Sequence, residues 1–131
     1  GTTIDLSLSS VADGSYYIVL TSRNHLSVMS ADPIPLAKDS SSSFDFTTGG
    51  DKFYGTHSAK ELESNSWGMA AGDINQDKTL DAVDFESWQS KAQTGQFGYQ
   101  SQDLNLDAYL TTLDYLLWYN NSLNGYSSQV P

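Results

Sequence analysis

The chain contains no cysteine, which excludes a disulfide framework, a thiol nucleophile and a Cys-based zinc centre. Positive charge is scarce: six Lys and Arg stand against sixteen Asp and Glu, for a net charge of −10. Such a chain repels phosphate backbones, so nucleic acid is not an expected partner. No apolar run approaches the roughly 20 residues needed to cross a bilayer, and no membrane span is expected. His25 and His57 are the only histidines, hence the only side chains that titrate near neutrality unperturbed. With this many serines and acids, a Ser–His–acid grouping would arise in any folded version of the chain and carries no information. A nucleophile elbow, a phosphate loop and a His-Glu-x-x-His motif are all missing, so the chain is read as not an enzyme. It starts at Gly1 with no signal peptide before it, which reads as a processed mature chain.

An aromatic content of 12% is too high for a disordered chain and predicts a packed fold despite the acidity. The 131 residues suffice for one medium domain or two small ones sharing an interface. Thr3–Leu8 alternates strictly, with Ile4, Leu6 and Leu8 on one face, the pattern of a half-buried strand. Tyr16–Leu20 is five consecutive apolar residues, which fits a central strand covered on both faces. Arg23-Asn24 predicts a tight reversal into His25–Ser30, and Pro33 and Pro35 around Ile34 predict an edge strand. Phe44–Thr47 and Lys52–Tyr54 read as further short strands, and Ser58–Glu63 as a short helical turn. Six short strands with turns between them predict a mostly β N-terminal part, a small β-sandwich or open barrel.

The most informative stretch is Gly72–Trp88. A twelve-residue loop counted from Asp73 places oxygen side chains at positions 1, 3, 5, 9 and 12: Asp73, Asn75, Asp77, Asp81 and Asp84, with the Thr79 carbonyl at position 7. An EF-hand loop draws the six to eight oxygens of a Ca²⁺ ion from these positions. Thirty residues later Asp103, Asn105, Asp107, Thr111 and Asp114 repeat the spacing, with the Tyr109 carbonyl at position 7. The match runs on into Asp84-Phe85-Glu86-Ser87-Trp88 and Asp114-Tyr115-Leu116-Leu117-Trp118, and Leu80 and Leu110 share position 8. Seven of the sixteen carboxylates lie in the two loops, so two bound Ca²⁺ would cancel four of those charges. Calcium is the staple open to a chain without disulfides, and it suits an extracellular setting.

This duplicated loop–helix resembles a dockerin module of secreted bacterial proteins over Gly72–Ser122. The resemblance implies two calcium sites, two roughly antiparallel helices and a protein partner. Three departures stand out: Lys78 and Ala108 occupy position 6, where the family has Gly; Ala82-Val83 and Thr112-Leu113 replace the short hydroxyl residues read by a cohesin; and Leu104 and Leu106 replace polar spacers. A second resemblance, carried by Tyr16–Leu20, Arg23–Ser30, Asp45-Phe46-Thr47 and Gly72-Asp73-Ile74-Asn75, is to the C-terminal regions of large secreted bacterial proteins, which join a small β-module to dockerin-like repeats.

The expected organisation is therefore a β-rich module over 1–66, an all-α dockerin-like pair of calcium loop–helix repeats over 67–122, and a polar tail over 123–131. Trp67–Ala71 leads into the first loop without a flexible linker, so the two parts should pack on each other. Phe85, Trp88, Tyr115, Leu116, Trp118 and Tyr119 read as packing stripes on the helices rather than a cofactor site. Asn120-Asn121-Ser122 matches a glycosylation sequon. The leading expectation is an extracellular or cell-surface assembly module whose partner is a cohesin-like domain or another copy of itself. In the second case Ile4, Leu6 and Leu8 would enter a neighbour's open sheet edge and build a filament. A carbohydrate- or surface-binding adhesion module is the alternative.

Overall fold

The computed structural model describes residues 8, 10–38 and 40–131. Six strands form three separate antiparallel ribbons: β1 (Gly14–Tyr16) with β4 (Ile34–Leu36), β2 (Val19–Ser22) with β3 (His25–Met29), and β5 (Lys60–Glu63) with β6 (Ser66–Gly68). Two helices follow, α1 (Ala82–Ala92) and α2 (Thr112–Leu123). The expected β-sandwich or barrel joined to an all-α pair is thus corrected. Among the described residues no ribbon gains a third strand, and the ribbons meet the rest of the chain through single bridges such as Ser30↔Phe53 and His25↔Ala71.

The apolar run Tyr16–Leu20 is split between two ribbons instead of filling one central strand. Tyr17, Val19 and Leu20 are 38–49% exposed, and burial falls on the partner strand, where Leu26, Val28 and Met29 are buried. The hairpin reversal at Arg23-Asn24 lies where expected, with Ser22 opposite His25. Three local readings differ from the structure. Phe46–Thr48 is a turn of 3₁₀-helix because the Asp45 carboxylate accepts from Thr47 N at 2.8 Å, an aspartate cap that competes with extended backbone. A second such turn spans Gly50–Lys52, in place of the strand expected to start at Lys52. Ser58–Glu63 holds a strand, not a helical turn. Asn65 takes φ +61° and its N–H donates to the Glu61 carboxylate at 3.1 Å, a reversal that lays Ser66–Gly68 back on Lys60–Glu63. This ribbon crosses the expected 66/67 boundary.

Two apolar clusters form the interior. Val28, Phe53 and Ala59 pack with Phe46, Trp67 and Met69; Ala71, Ile74 and Leu104 pack with Trp88, Leu117 and Trp118. The segment between β6 and the first loop joins them, running beside β3 with Leu26 N–Ala70 O at 2.9 Å and Gly72 N–Asn24 O at 2.8 Å. Two wholly buried amides strengthen the seam. Asn24 Nδ2 donates to the Asp103 carbonyl at 2.6 Å, and Asn121 Nδ2 donates to the Ala71 carbonyl at 2.8 Å while its Oδ1 accepts from Lys60 Nζ at 2.7 Å.

The helices pack through aromatic rings, as their stripes predict: Phe85 lies 5.2 Å from Trp118 and 5.7 Å from Tyr115, centroid to centroid. Leu116 and Tyr119 instead remain about 40% exposed. The terminal segment is anchored across the molecule, with Ser127 N on the His57 carbonyl (3.1 Å), Ser128 N on the Lys78 carbonyl (3.0 Å) and Ser128 Oγ on the Ser27 carbonyl (2.7 Å). Of the expected N-terminal donor strand, Ile4 and Leu6 lie outside the described residues, while Leu8 is half exposed.

Candidate metal-binding loops

Each loop is built by its own acids. Asp84, at position 12, accepts from Ile74 N (2.7 Å) and Asn75 N (3.2 Å) on Oδ1 and from Asp81 N (3.0 Å) on Oδ2. Asp114 repeats the scheme with Leu104 N (2.8 Å), Asn105 N (3.3 Å) and Thr111 N (2.7 Å). At position 1, Asp73 accepts from Asp77 N and Lys78 N, and Asp103 from Asp107 N and Ala108 N. At position 3, Asn75 and Asn105 each donate to the following aspartate, at 2.7 and 2.8 Å. The backbone copies itself as well. Gln76 and Lys78 lie at φ +64° and +79°, and Leu106 and Ala108 at +63° and +71°, so both loops place non-glycine residues in left-handed conformation at positions 4 and 6. The structure therefore brings each predicted set of oxygen-bearing residues into one loop with a shared hydrogen-bonding plan.

Position 9 caps the following helix in both repeats. The Asp81 carboxylate accepts from Val83 N and the Thr111 hydroxyl from Leu113 N, each closing a capping box with the aspartate at position 12. This satisfies orphan amides at the start of α1 and α2 and ties helix geometry to loop geometry through Asp84 and Asp114.

Burial divides the acids. Asp84 and Asp114 have no exposed surface, and Asp73 and Asp103 are 2% and 1% exposed, whereas Asn75, Asp77, Thr79, Asn105, Asp107 and Tyr109 lie at the surface. Burial pushes the Asp73 and Asp84 carboxyls above the usual aspartate range, reinforced by mutual repulsion among the loop acids. Hydrogen bonds from Thr79 and Asn75 hold the exposed Asp77 carboxyl below it. No cationic side chain answers the buried charge: the one ion pair among the described residues joins Lys52 and Asp51 elsewhere. Lys78, in the first loop, instead donates to the Val130 carbonyl.

No family model matches the chain, nor does any curated protein or solved structure.

Fitness for a metal is then a question of donor chemistry. Among the described residues no three His, Asp or Glu side chains converge at metal-ligating distance, because the carboxylates are turned onto backbone amides. The donor set in each loop is nonetheless all oxygen: four carboxylates in the first loop, three with the Thr111 hydroxyl beside them in the second, one carboxamide in each, and the Thr79 or Tyr109 carbonyl, which accepts no hydrogen bond among the described residues. Hard oxygen donors suit Ca²⁺ rather than zinc or copper. Buried carboxylates without a counter-charge are costly, and a divalent ion is the counter-charge these loops lack. The residues fit the group. Sequence reading missed the supports behind them, Asn24, Asn121 and the Ser127-Ser128 anchor, since nothing in a lone Asn or Ser signals burial.

Proposed function

We propose that the two loops bind Ca²⁺ and that the protein is a calcium-stabilised, non-enzymatic assembly module of the cell surface or extracellular space. Asp73, Asn75, Asp77, Asp84 and the Thr79 carbonyl would hold one ion, and Asp103, Asn105, Asp107, Asp114 and the Tyr109 carbonyl the other. The observation that carries this reading is the duplicated loop, in which a buried aspartate at position 12 has the same three amide donors in both copies. Bound calcium would supply positive charge to buried carboxylates and cross-link each loop to its following helix through position 12. Its role is structural, because the helices meet through packed aromatic rings and present no Met-rich groove of the kind that calcium sensors expose.

A protein partner is the expected recipient of this rigidity, in keeping with the resemblance of the loops to dockerin repeats. Val83, Leu113 and Leu116 stand 42–58% exposed on α1 and α2 and are the apolar side chains the helices offer to a partner. Strand donation by Ile4, Leu6 and Leu8 to a second copy remains the proposed route to a filament. Calorimetric titration of metal-free protein with CaCl₂, followed by size-exclusion chromatography with and without Ca²⁺, tests both halves. Two bound ions with assembly that depends on them support the reading. No heat of binding and an elution volume indifferent to EDTA overturn it.

A further inference from the structure

Away from the loops, a solvent-open cleft of about 460 Å³ lies between the segment that follows the second 3₁₀ turn, β6 and the turn ending α2. That volume falls within the roughly 300–1,000 Å³ usual for small-ligand sites. Its lining includes His57, Ser58, Trp67, Asn124 and Tyr126, and no Asp, Glu, Lys or Arg, in a chain of net charge −10.

The aromatic wall is held rigidly. Trp67 packs on the Val28–Phe53–Ala59 cluster, and its ring lies so close to Gly50 that a Cβ there would come within 2.8 Å of it. The polar groups, in contrast, are uncommitted. Asn124 Nδ2 donates to the Asn120 carbonyl, leaving its Oδ1 free. Among the described residues the His57 imidazole, Ser58 Oγ, Trp67 Nε1 and Tyr126 hydroxyl make no hydrogen bond, and none of these atoms is sealed from solvent. Ser58 is only 2% exposed, so its hydroxyl is open only at a narrow surface of the cleft it lines. His57 sits at φ +59°, a conformation that costs a non-glycine residue about 1 kcal/mol and that places its ring beside the cleft.

We propose that this cleft binds an uncharged saccharide. Each alternative class leaves something unanswered. An apolar ligand would desolvate five unpaired polar groups without replacing their water. A charged ligand would meet no counter-charge. A pyranose ring offers an apolar face of C–H groups to Trp67 and Tyr126, and hydroxyls that both donate and accept to Asn124, Ser58 and His57. This site is independent of the calcium loops and uses none of their residues.

The test follows the indole N–H resonances of Trp67, Trp88 and Trp118 in calcium-containing buffer, with cellobiose, maltose, xylobiose and chitobiose as neutral probes. Glucuronate, glucose 6-phosphate and a Gly-Ser peptide serve as controls. At least one neutral disaccharide should shift the Trp67 signal and leave those of Trp88 and Trp118 in place. Tyr126→Ala and His57→Gly, the latter tolerant of the local backbone, should each weaken that binding about tenfold without moving the other two indoles. Should Tyr126→Ala not fold, Tyr126→Phe removes the hydroxyl alone. The proposal falls if no neutral sugar moves Trp67, if only the charged sugars or the peptide do, or if binding survives unchanged in the variants.

Discussion

Replacing Asn24 by Ala strips two hydrogen bonds from a side chain with no solvent exposure. Its Nδ2 donates to the Asp103 carbonyl at 2.6 Å, and its Oδ1 meets His25 Nδ1 at 2.7 Å. Asp103 is itself only 1% exposed, so water does not take the vacated place. A buried acceptor deprived of its donor costs about 1–3 kcal/mol, and a part-buried imidazole nitrogen adds roughly 0.5–1 kcal/mol. With the small void left by truncation, the expected loss is about 2–4 kcal/mol, or a fall in Tm on the order of 10 °C for a domain of this size. Asn24→Asp separates the two contributions. It keeps the volume, removes the donor and sets a carboxylate oxygen against the Asp103 carbonyl, so it should be at least as damaging as Ala. Urea unfolding followed by tryptophan fluorescence, at constant Ca²⁺, reads both. Because the Asn24 side chain reaches the second loop and not the first, calcium affinity should fall at only one of the two proposed sites. If both variants lose less than about 0.5 kcal/mol, the buried amide does not join the β3 hairpin to the second loop as described.

Other perturbations have equally definite outcomes. Chelation should lower Tm, since a ligand that binds only the folded state stabilises it by about 2.7 kcal/mol per site at a hundredfold excess over Kd; an EDTA-treated sample that melts unchanged contradicts this. Ala108→Gly should stabilise the apo protein by roughly 0.5 kcal/mol, because relief of φ +71° outweighs the greater freedom of glycine in the unfolded chain; a lower melting temperature in differential scanning calorimetry contradicts this. His25 is held below the usual histidine range by burial and then by Arg23. The unfolded chain therefore takes up this proton first, and stability contributed by neutral His25 is complete above pH 6.5 and declines as pH falls from there toward the folded pKa. His25→Gln should flatten that part of the stability–pH profile. Ser128→Ala removes the bond to the Ser27 carbonyl and should cost roughly 1 kcal/mol in an unfolding titration, whereas no change would mean the terminal segment is not anchored.

Local chemistry made the loops and the helices after them legible in the sequence. The oxygen spacing of Asp73–Asp84 and Asp103–Asp114 lies within twelve residues, and the capping boxes at Asp81 and Thr111 span three, so each forms from neighbours along the chain. The Arg23-Asn24 reversal was readable on the same grounds. Strand pairing was not. Tyr16–Leu20 is apolar enough for a central strand, yet what covers it depends on segments far away, and the chain spends its burial on β3 instead. At Ser58–Glu63 the expected helical turn gave way to a reversal set by Asn65 and Glu61. The seam itself rests on contacts that no window of sequence contains: Asn24 to Asp103 across 79 positions, Asn121 to Ala71 across 50, Ser128 to Ser27 across 101. A hydrogen bond of that range declares itself only when the backbone is already folded, because an asparagine or serine looks the same in a sequence whether it meets water or a buried carbonyl.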